Sequence, residues 1–125
     1  MGAVFSVNLQ AEIKKGHKSA LLDSLVSPMT ESQIEYLNSK ELDMNKLEDV
    51  LAYYFAANSK ISVDIINDKI DISTGFDASY SWECVMIEAF EKMAEHLEDK
   101  SELYIYPDSD YDWLVIRNGK MIQKH

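Results

Sequence analysis

The sequence predicts an α+β fold, a two-layer sandwich in which a mostly antiparallel sheet of about five or six strands carries helices on one face. Three observations support this prediction. The amino terminus alternates apolar and polar residues, two pairs of strand-like runs are each joined by two turn-forming residues, and one long segment carries an apolar stripe at helical spacing. With 125 residues, ordinary globular composition and only four glycines and two prolines, residues 1–125 are expected to form one domain without a linker.

The first strand is predicted over residues 3–13, where every second residue is apolar. Successive side chains of a strand point to opposite faces of the sheet, so this alternation indicates one buried face and one exposed face. Gly16 then interrupts the pattern. The apolar positions are Phe5, Val7, Leu9, Ala11 and Ile13.

Three short helices are predicted next. Residues 20–26 suit a short helix that ends before a proline. Thr30 and Gln33 have the spacing of a capping box, in which each side chain accepts a hydrogen bond from the other residue's backbone amide. Asp43 is placed to cap a third helix that ends near Asn58.

A tight hairpin and the longest helix follow. Residues 61–66 and 69–73 read as strands separated by Asn67 and Asp68, two residue types that tolerate the positive φ angles of a two-residue turn. A helix is predicted over residues 80–98, because one apolar stripe runs along it. The stripe consists of Trp82, Val85, Met86, Ala89, Met93 and Leu97.

The carboxyl-terminal part predicts three more strands. Residues 102–106 form one strand that ends at a proline. Residues 112–117 and 120–124 flank Asn118 and Gly119, the strongest short sequence signal for a hairpin.

The net charge of −10, from 22 acidic and 12 basic side chains, excludes two classes of partner. Nucleic acids and anionic membranes both require clusters of Lys and Arg, so we expect no binding to either. The acidic residues are concentrated, since residues 83–112 contain ten of them and only two lysines. Such a run is typical of a solvated surface that keeps a protein soluble, or of a field that attracts a basic partner.

The sequence favours a cytoplasmic location. Cys84 is the single cysteine, so the chain cannot form an internal disulfide. The amino terminus lacks the continuous apolar core of a signal peptide, and no apolar run has the length of a membrane span.

Asp108, Asp110 and Asp112 are the best candidates for metal chemistry, because three carboxylates at alternate positions resemble the first half of a calcium loop. The rest of that pattern fails. The position that needs a glycine holds Trp113, and the position that needs a bidentate glutamate holds Gly119. We therefore expect no metal, and interpret the aspartates as part of a polar connecting loop.

No other group of residues predicts a catalytic centre or a cofactor site. Cys84 lies beside Glu83, whose charge disfavours a reactive thiolate. His17, His96 and His125 have none of the short spacings typical of zinc ligands. We expect no cofactor and no catalytic residue, which favours a protein that is not an enzyme without excluding one.

The aromatic residues near the carboxyl terminus predict a binding surface. Tyr104 and Tyr106 alternate with core-type residues, and so do Trp113 and Val115. If helices cover only one face of the sheet, these four side chains line the other face, with Tyr111 in the adjoining loop. The alternatives are that a loop, such as residues 27–43, folds over that face, or that the facing of these strands is inverted. The predicted partner-binding residues are Tyr104, Tyr106, Tyr111, Trp113, Asp108, Asp110 and Asp112.

Three hypotheses for function follow. The leading one is a non-enzymatic module that binds a protein partner through this aromatic and acid-rimmed surface, which would suit a basic partner. A second is a homodimeric structural or accessory protein that uses the same face for self-association. A third is a small-molecule binder or an enzyme of unknown reaction, with a pocket between the sheet and the helices; Tyr80, Trp82, Cys84 and the loop over residues 108–112 suggest it.

Overall fold

We describe the protein from a computed structural model, in which residues 2–55, 63–106 and 111–124 are described. An antiparallel sheet of six strands in the order β2-β3-β1-β4-β5-β6 packs against four α-helices, which confirms the predicted α+β fold. The strands are β1 (Gly2–Glu12), β2 (Val63–Ile66), β3 (Lys69–Ser79), β4 (Glu102–Tyr106), β5 (Asp112–Arg117) and β6 (Lys120–Lys124). The helices are α1 (Lys18–Val26), α2 (Glu31–Ser39), α3 (Leu47–Phe55) and α4 (Trp82–Met93).

The first strand lies in the middle of the sheet and organises the core. Leu9 pairs with Ile72 of β3 on one side and with Leu103 of β4 on the other. All three side chains are fully buried under the helices. Because side chains alternate along a strand, Phe5 and Val7 point into the same core, as the sequence pattern predicts.

The helices are tied to one another by hydrogen bonds as well as by apolar packing. The Tyr54 hydroxyl of α3 donates to the Leu25 carbonyl of α1 at 2.9 Å. The Trp82 indole N–H of α4 donates to the Tyr54 carbonyl at 3.0 Å. Buried polar groups need such partners, so these bonds fix how the three helices stack on the sheet.

The second helix joins this layer through α3. Its capping box is present, with Thr30 and Gln33 bonded reciprocally. Gln33 also reaches the Tyr53 hydroxyl at 3.3 Å, and the Tyr36 and Tyr53 rings lie 5.9 Å apart. Residues 27–43 therefore belong to the helical layer and do not fold over the second face of the sheet.

Both predicted hairpin turns are confirmed. Asn67 and Asp68 have φ angles of 52° and 66° between β2 and β3, and Asn118 and Gly119 have φ angles of 54° and 73° between β5 and β6. Two successive positive φ angles give the backbone twist that suits a two-residue hairpin loop.

Two predicted boundaries were wrong because tertiary pairing decides them. Strand β3 continues to Ser79 instead of ending near residue 73, since it pairs with β1 along its whole length. The long helix ends as α4 at Met93, and a 3-10 turn over Ala94–His96 follows it. Leu97 then adopts an extended conformation and forms a bridge with Ile13, which ends the helical path.

The start of α3 also differs from prediction. The Asp43 carboxylate accepts the Asn45 backbone N–H at 2.8 Å in a local turn, and the helix begins four residues later at Leu47. Asp49 accepts the Asp43 backbone N–H at 2.8 Å and so connects the turn to the helix. The predicted helix end at Asn58 lies outside the described residues.

Candidate functional site

The face of the sheet opposite the helices is mostly polar over its β1 and β3 half, where Val4 is an exposed apolar exception. Ser6, Asn8 and Gln10 point outward from β1, because their neighbours along the strand point into the core. Ser73 and Asp71 lie beside Asn8 and Gln10 on β3, and Gln10 donates a hydrogen bond to Asp71. This half of the face has the small polar side chains of an ordinary solvated sheet surface.

The other half of the same face carries four aromatic side chains in one continuous row, which we call the aromatic ladder. Trp113 lies directly opposite Tyr104 across the β4–β5 pair, with ring centroids 5.3 Å apart and planes 14° apart. Tyr104 lies 6.1 Å from Tyr106 with nearly parallel rings, and Tyr106 lies 5.5 Å from Tyr111. The row therefore runs Trp113, Tyr104, Tyr106, Tyr111.

Trp113 is held by polar contacts as well as by stacking. Its indole N–H donates to the Glu102 carboxylate at 3.2 Å. The Lys124 ammonium of β6 lies 5.9 Å from the centre of the ring, within the range of a cation–π contact. These contacts fix the indole in one orientation on the exposed face.

The outer end of the ladder is the most accessible part. Tyr106 is 44% exposed and Tyr111 is 47% exposed, whereas Tyr104 and Trp113 are half-buried. Partial loss of water around Tyr104 raises the pKa of its phenol, and the nearby Glu102 carboxylate adds to this rise. The Tyr104 hydroxyl therefore stays protonated and able to donate a hydrogen bond.

Among the described side chains, the charges on this face balance. Glu102 lies beside the ladder, whereas the exposed Glu88, Glu91 and Glu95 belong to α4 and its following turn, in the helical layer. Outward-facing acidic residues are Glu12, Asp71, Asp77 and Glu102, and outward-facing basic residues are Lys69, Arg117, Lys120 and Lys124.

Asp112 is predicted to bind a partner, but its side chain points away from the ladder. Asp112 pairs with Ile105, which points into the core, and its carboxylate accepts a hydrogen bond from Gln123 at 3.0 Å. Its side chain thus lies on the helical side of the sheet. Val115 shares the face with Trp113 but is buried. Asp108 and Asp110 lie outside the described residues.

Two surface clefts lie among the described residues. A cleft of about 670 Å³ lies near Gln10, Lys69 and Lys100, and a smaller one of about 330 Å³ lies beside Tyr106. Neither is lined by Tyr80, Trp82 or Cys84. Trp82 instead joins α4 to α3, and Cys84 is exposed on α4.

One pair of polar side chains was missed by the sequence reasoning. The Nδ1 atoms of His17 and His96 lie 3.1 Å apart, although the residues are separated by 79 positions in the chain. Short spacings could not reveal a pair that only the fold brings together. Across residues 2–55, 63–106 and 111–124, His, Cys, Asp and Glu form no group of three or more that could hold a metal ion.

The structure thus defines a small α+β domain in which the described helices leave one sheet face uncovered, and that face carries an aromatic ladder. No family model matches the sequence, and no curated protein or solved structure matches the chain. Among the described helices, none is both long enough and apolar enough to cross a membrane.

Proposed function

We propose that this chain is a non-enzymatic binding module that engages a protein partner through the aromatic ladder. The observation that carries the proposal is the row of four stacked rings on a sheet face that the described helices leave open. Tyrosine and tryptophan are enriched at the energetic centres of protein interfaces, because they supply a large contact area and lose little side-chain entropy.

Contacts within the chain restrain the inner end of the ladder. Trp113 contacts Glu102 and Lys124, and Tyr104 stacks between Trp113 and Tyr106. A partner that covers the ladder would therefore lose less side-chain entropy than on a surface of unstacked aromatic side chains. Removal of one such anchor typically costs 2 kcal/mol or more, which is about a thirtyfold loss of affinity.

The charge of the chain selects the kind of partner. At a net charge of −10, two copies of the chain repel each other, and a partner of positive net charge is attracted over long range. Because the described charges around the ladder balance, we expect aromatic packing rather than ion pairs to supply the close contact with the partner. We therefore favour a basic protein over a second copy, and expect added salt to slow association.

A photocrosslinking experiment tests this proposal. We would replace Tyr106 by p-benzoylphenylalanine, irradiate the protein in native lysate and identify the adduct by mass spectrometry. The control carries the same group at Tyr80, which is similarly exposed at 50% but lies outside the ladder. A basic protein crosslinked at position 106 and not at position 80 is the expected result, to be followed by affinity measurements with that protein purified.

Two results would contradict the proposal. Equal adducts from positions 106 and 80 would remove the ladder as the contact surface. A crosslink at position 106 between two copies of the chain would mean that this face binds a second copy and not a different protein.

A further inference from the structure

His17 and His96 face each other where the chain leaves β1 and where it leaves α4. Their Nδ1 atoms are 3.1 Å apart and the two rings lie 5.4 Å apart. The His96 side chain is only 12% exposed, so the pair is sheltered at the edge of the helical layer. We propose that these two imidazoles form a bidentate site for a borderline divalent transition metal such as Zn²⁺, Cu²⁺ or Ni²⁺.

The separation of the two nitrogens matches that of neighbouring metal ligands. With metal–nitrogen bonds of about 2.0–2.1 Å, two ligands are roughly 2.9 Å apart at a right angle and roughly 3.4 Å apart in a tetrahedron. The observed 3.1 Å falls between these values. Imidazole nitrogen is a ligand that suits zinc, copper and nickel, whereas calcium and magnesium prefer oxygen.

A carboxylate lies on the far side of one ring. Glu95 Oε1 is 3.8 Å from His96 Nε2, which is too long for a direct hydrogen bond but close enough for attraction to an N–H. The 3.1 Å contact between the two Nδ1 atoms is itself a hydrogen bond in which one ring donates to the other, so a metal would displace one proton from the pair. Metal-binding histidines commonly have a carboxylate in this second position.

Backbone hydrogen bonds hold the two segments in place. The Lys14 N–H donates to the His96 carbonyl at 2.9 Å, and the His17 N–H donates to the Lys14 carbonyl at 2.9 Å. Ile13 and Leu97 form a bridge immediately beside them. The two rings are therefore positioned by the fold, so a metal would meet a pair that needs little rearrangement.

Two protein ligands leave the remaining coordination positions to water. In the described parts of the chain no third His, Cys, Asp or Glu completes a cluster with this pair. We therefore expect a site of one metal per chain, tightest for Cu²⁺ among the three ions. A bound metal would also join the two segments and raise the thermal midpoint of unfolding, because it binds the folded chain only.

Isothermal titration of the chelator-stripped protein with Zn²⁺ and Cu²⁺ alone tests the proposal. All proteins would carry Cys84→Ser, since the exposed thiol of Cys84 could bind these metals itself. We expect one metal per chain, and a loss of at least about tenfold in affinity for both His17→Gln and His96→Gln. His125→Gln is the matched control and should bind as tightly as the Cys84→Ser protein.

Circular dichroism in EDTA shows whether each variant is folded, and Glu95→Gln gives a milder variant that spares both ligands. Metal should raise the unfolding midpoint of the Cys84→Ser protein and leave that of His96→Gln unchanged. Absence of stoichiometric binding to the Cys84→Ser protein would overturn the proposal. Equal affinity in folded His17→Gln or His96→Gln would overturn it too.

Discussion

Tyr104 lies directly opposite Trp113 across the β4–β5 pair, and their ring centroids are 5.3 Å apart with planes only 14° apart. We expect the two rings to contribute jointly to stability, because each ring packs against one face of the other. It also connects the indole, which Glu102 and Lys124 hold, to the more exposed Tyr106 and Tyr111. The ladder is thus a structural unit of the sheet as well as a candidate contact surface.

A double-mutant cycle should detect this dependence. We expect Tyr104→Ala and Trp113→Ala together to cost less stability than the sum of the single changes, with a coupling of about 0.5–1.5 kcal/mol. Urea unfolding of the four proteins provides the measurement. Strict additivity would mean that the two rings are neighbours without an energetic interaction.

Leu9 is a core residue whose truncation should be strongly destabilising. It is fully buried in the central strand between Ile72 and Leu103, so Leu9→Ala leaves a cavity and should cost about 2–5 kcal/mol in the free energy of unfolding. Its neighbour Asn8 points to the open face and serves as the control. Asn8→Ala should change stability by less than about 0.5 kcal/mol; a similar cost for both would contradict the assigned facing of β1.

The β5–β6 hairpin should depend on Gly119. Its φ angle of 73° is strained for any residue with a Cβ, although the nearest atom, Glu95 Cα, would be at an ordinary contact distance of 3.7 Å. We expect Gly119→Ala to destabilise the protein by about 1 kcal/mol in urea unfolding. Gly75 in β3 has no positive φ angle, so Gly75→Ala is the matched control. A larger cost at Gly75 would show that strain in the turn is not the cause.

Alkaline pH should lower the free energy of unfolding because the Tyr54 phenol is buried. Burial raises the pKa of its phenol to about 12, with a further contribution from Tyr53. Between pH 10 and pH 12 the unfolded chain releases this proton while the folded chain keeps it, so the free energy of unfolding falls as pH rises, by about 2 kcal/mol from this group.

Tyr54→Phe isolates that contribution. Near pH 8 the variant should be less stable than the wild type by about 1 kcal/mol, because the hydrogen bond to the Leu25 carbonyl is lost. The gap should close as pH rises above 10 and reverse towards pH 12, since phenylalanine has no proton to release. Urea unfolding of both proteins at several pH values measures this gap, and a gap that stays constant would contradict the raised pKa.

The sequence predicted the features that depend on residues close together in the chain. The alternation around Leu9 predicts a strand with one buried face, Asn118 and Gly119 predict their hairpin, and Thr30 predicts its capping box. The same alternation places Tyr104 and Trp113 on one face once the helices are known to cover the other. Each of these features is determined by residues a few positions apart, so it can be predicted from the sequence alone.

Features decided by distant pairing were not predictable. Strand β3 extends past Gly75 because β1 is long enough to pair with all of it. Asp112 looks like part of the acidic loop in the sequence, but its register opposite Ile105 turns it to the helical side. The contact between His17 and His96 exists only because the bridge between Ile13 and Leu97 brings their segments together.

The dissociation constant of the purified partner for ladder variants is the most direct test of the proposed function. We would first replace Trp82 by Phe, so that Trp113 becomes the single tryptophan and its fluorescence reports on the ladder itself. In that background Tyr106→Ala should weaken binding about thirtyfold, while Tyr80→Ala should leave it within about twofold. Equal affinity of the Tyr106→Ala and unmodified proteins, with no change in Trp113 fluorescence on binding, would contradict the claim that the ladder is the contact surface.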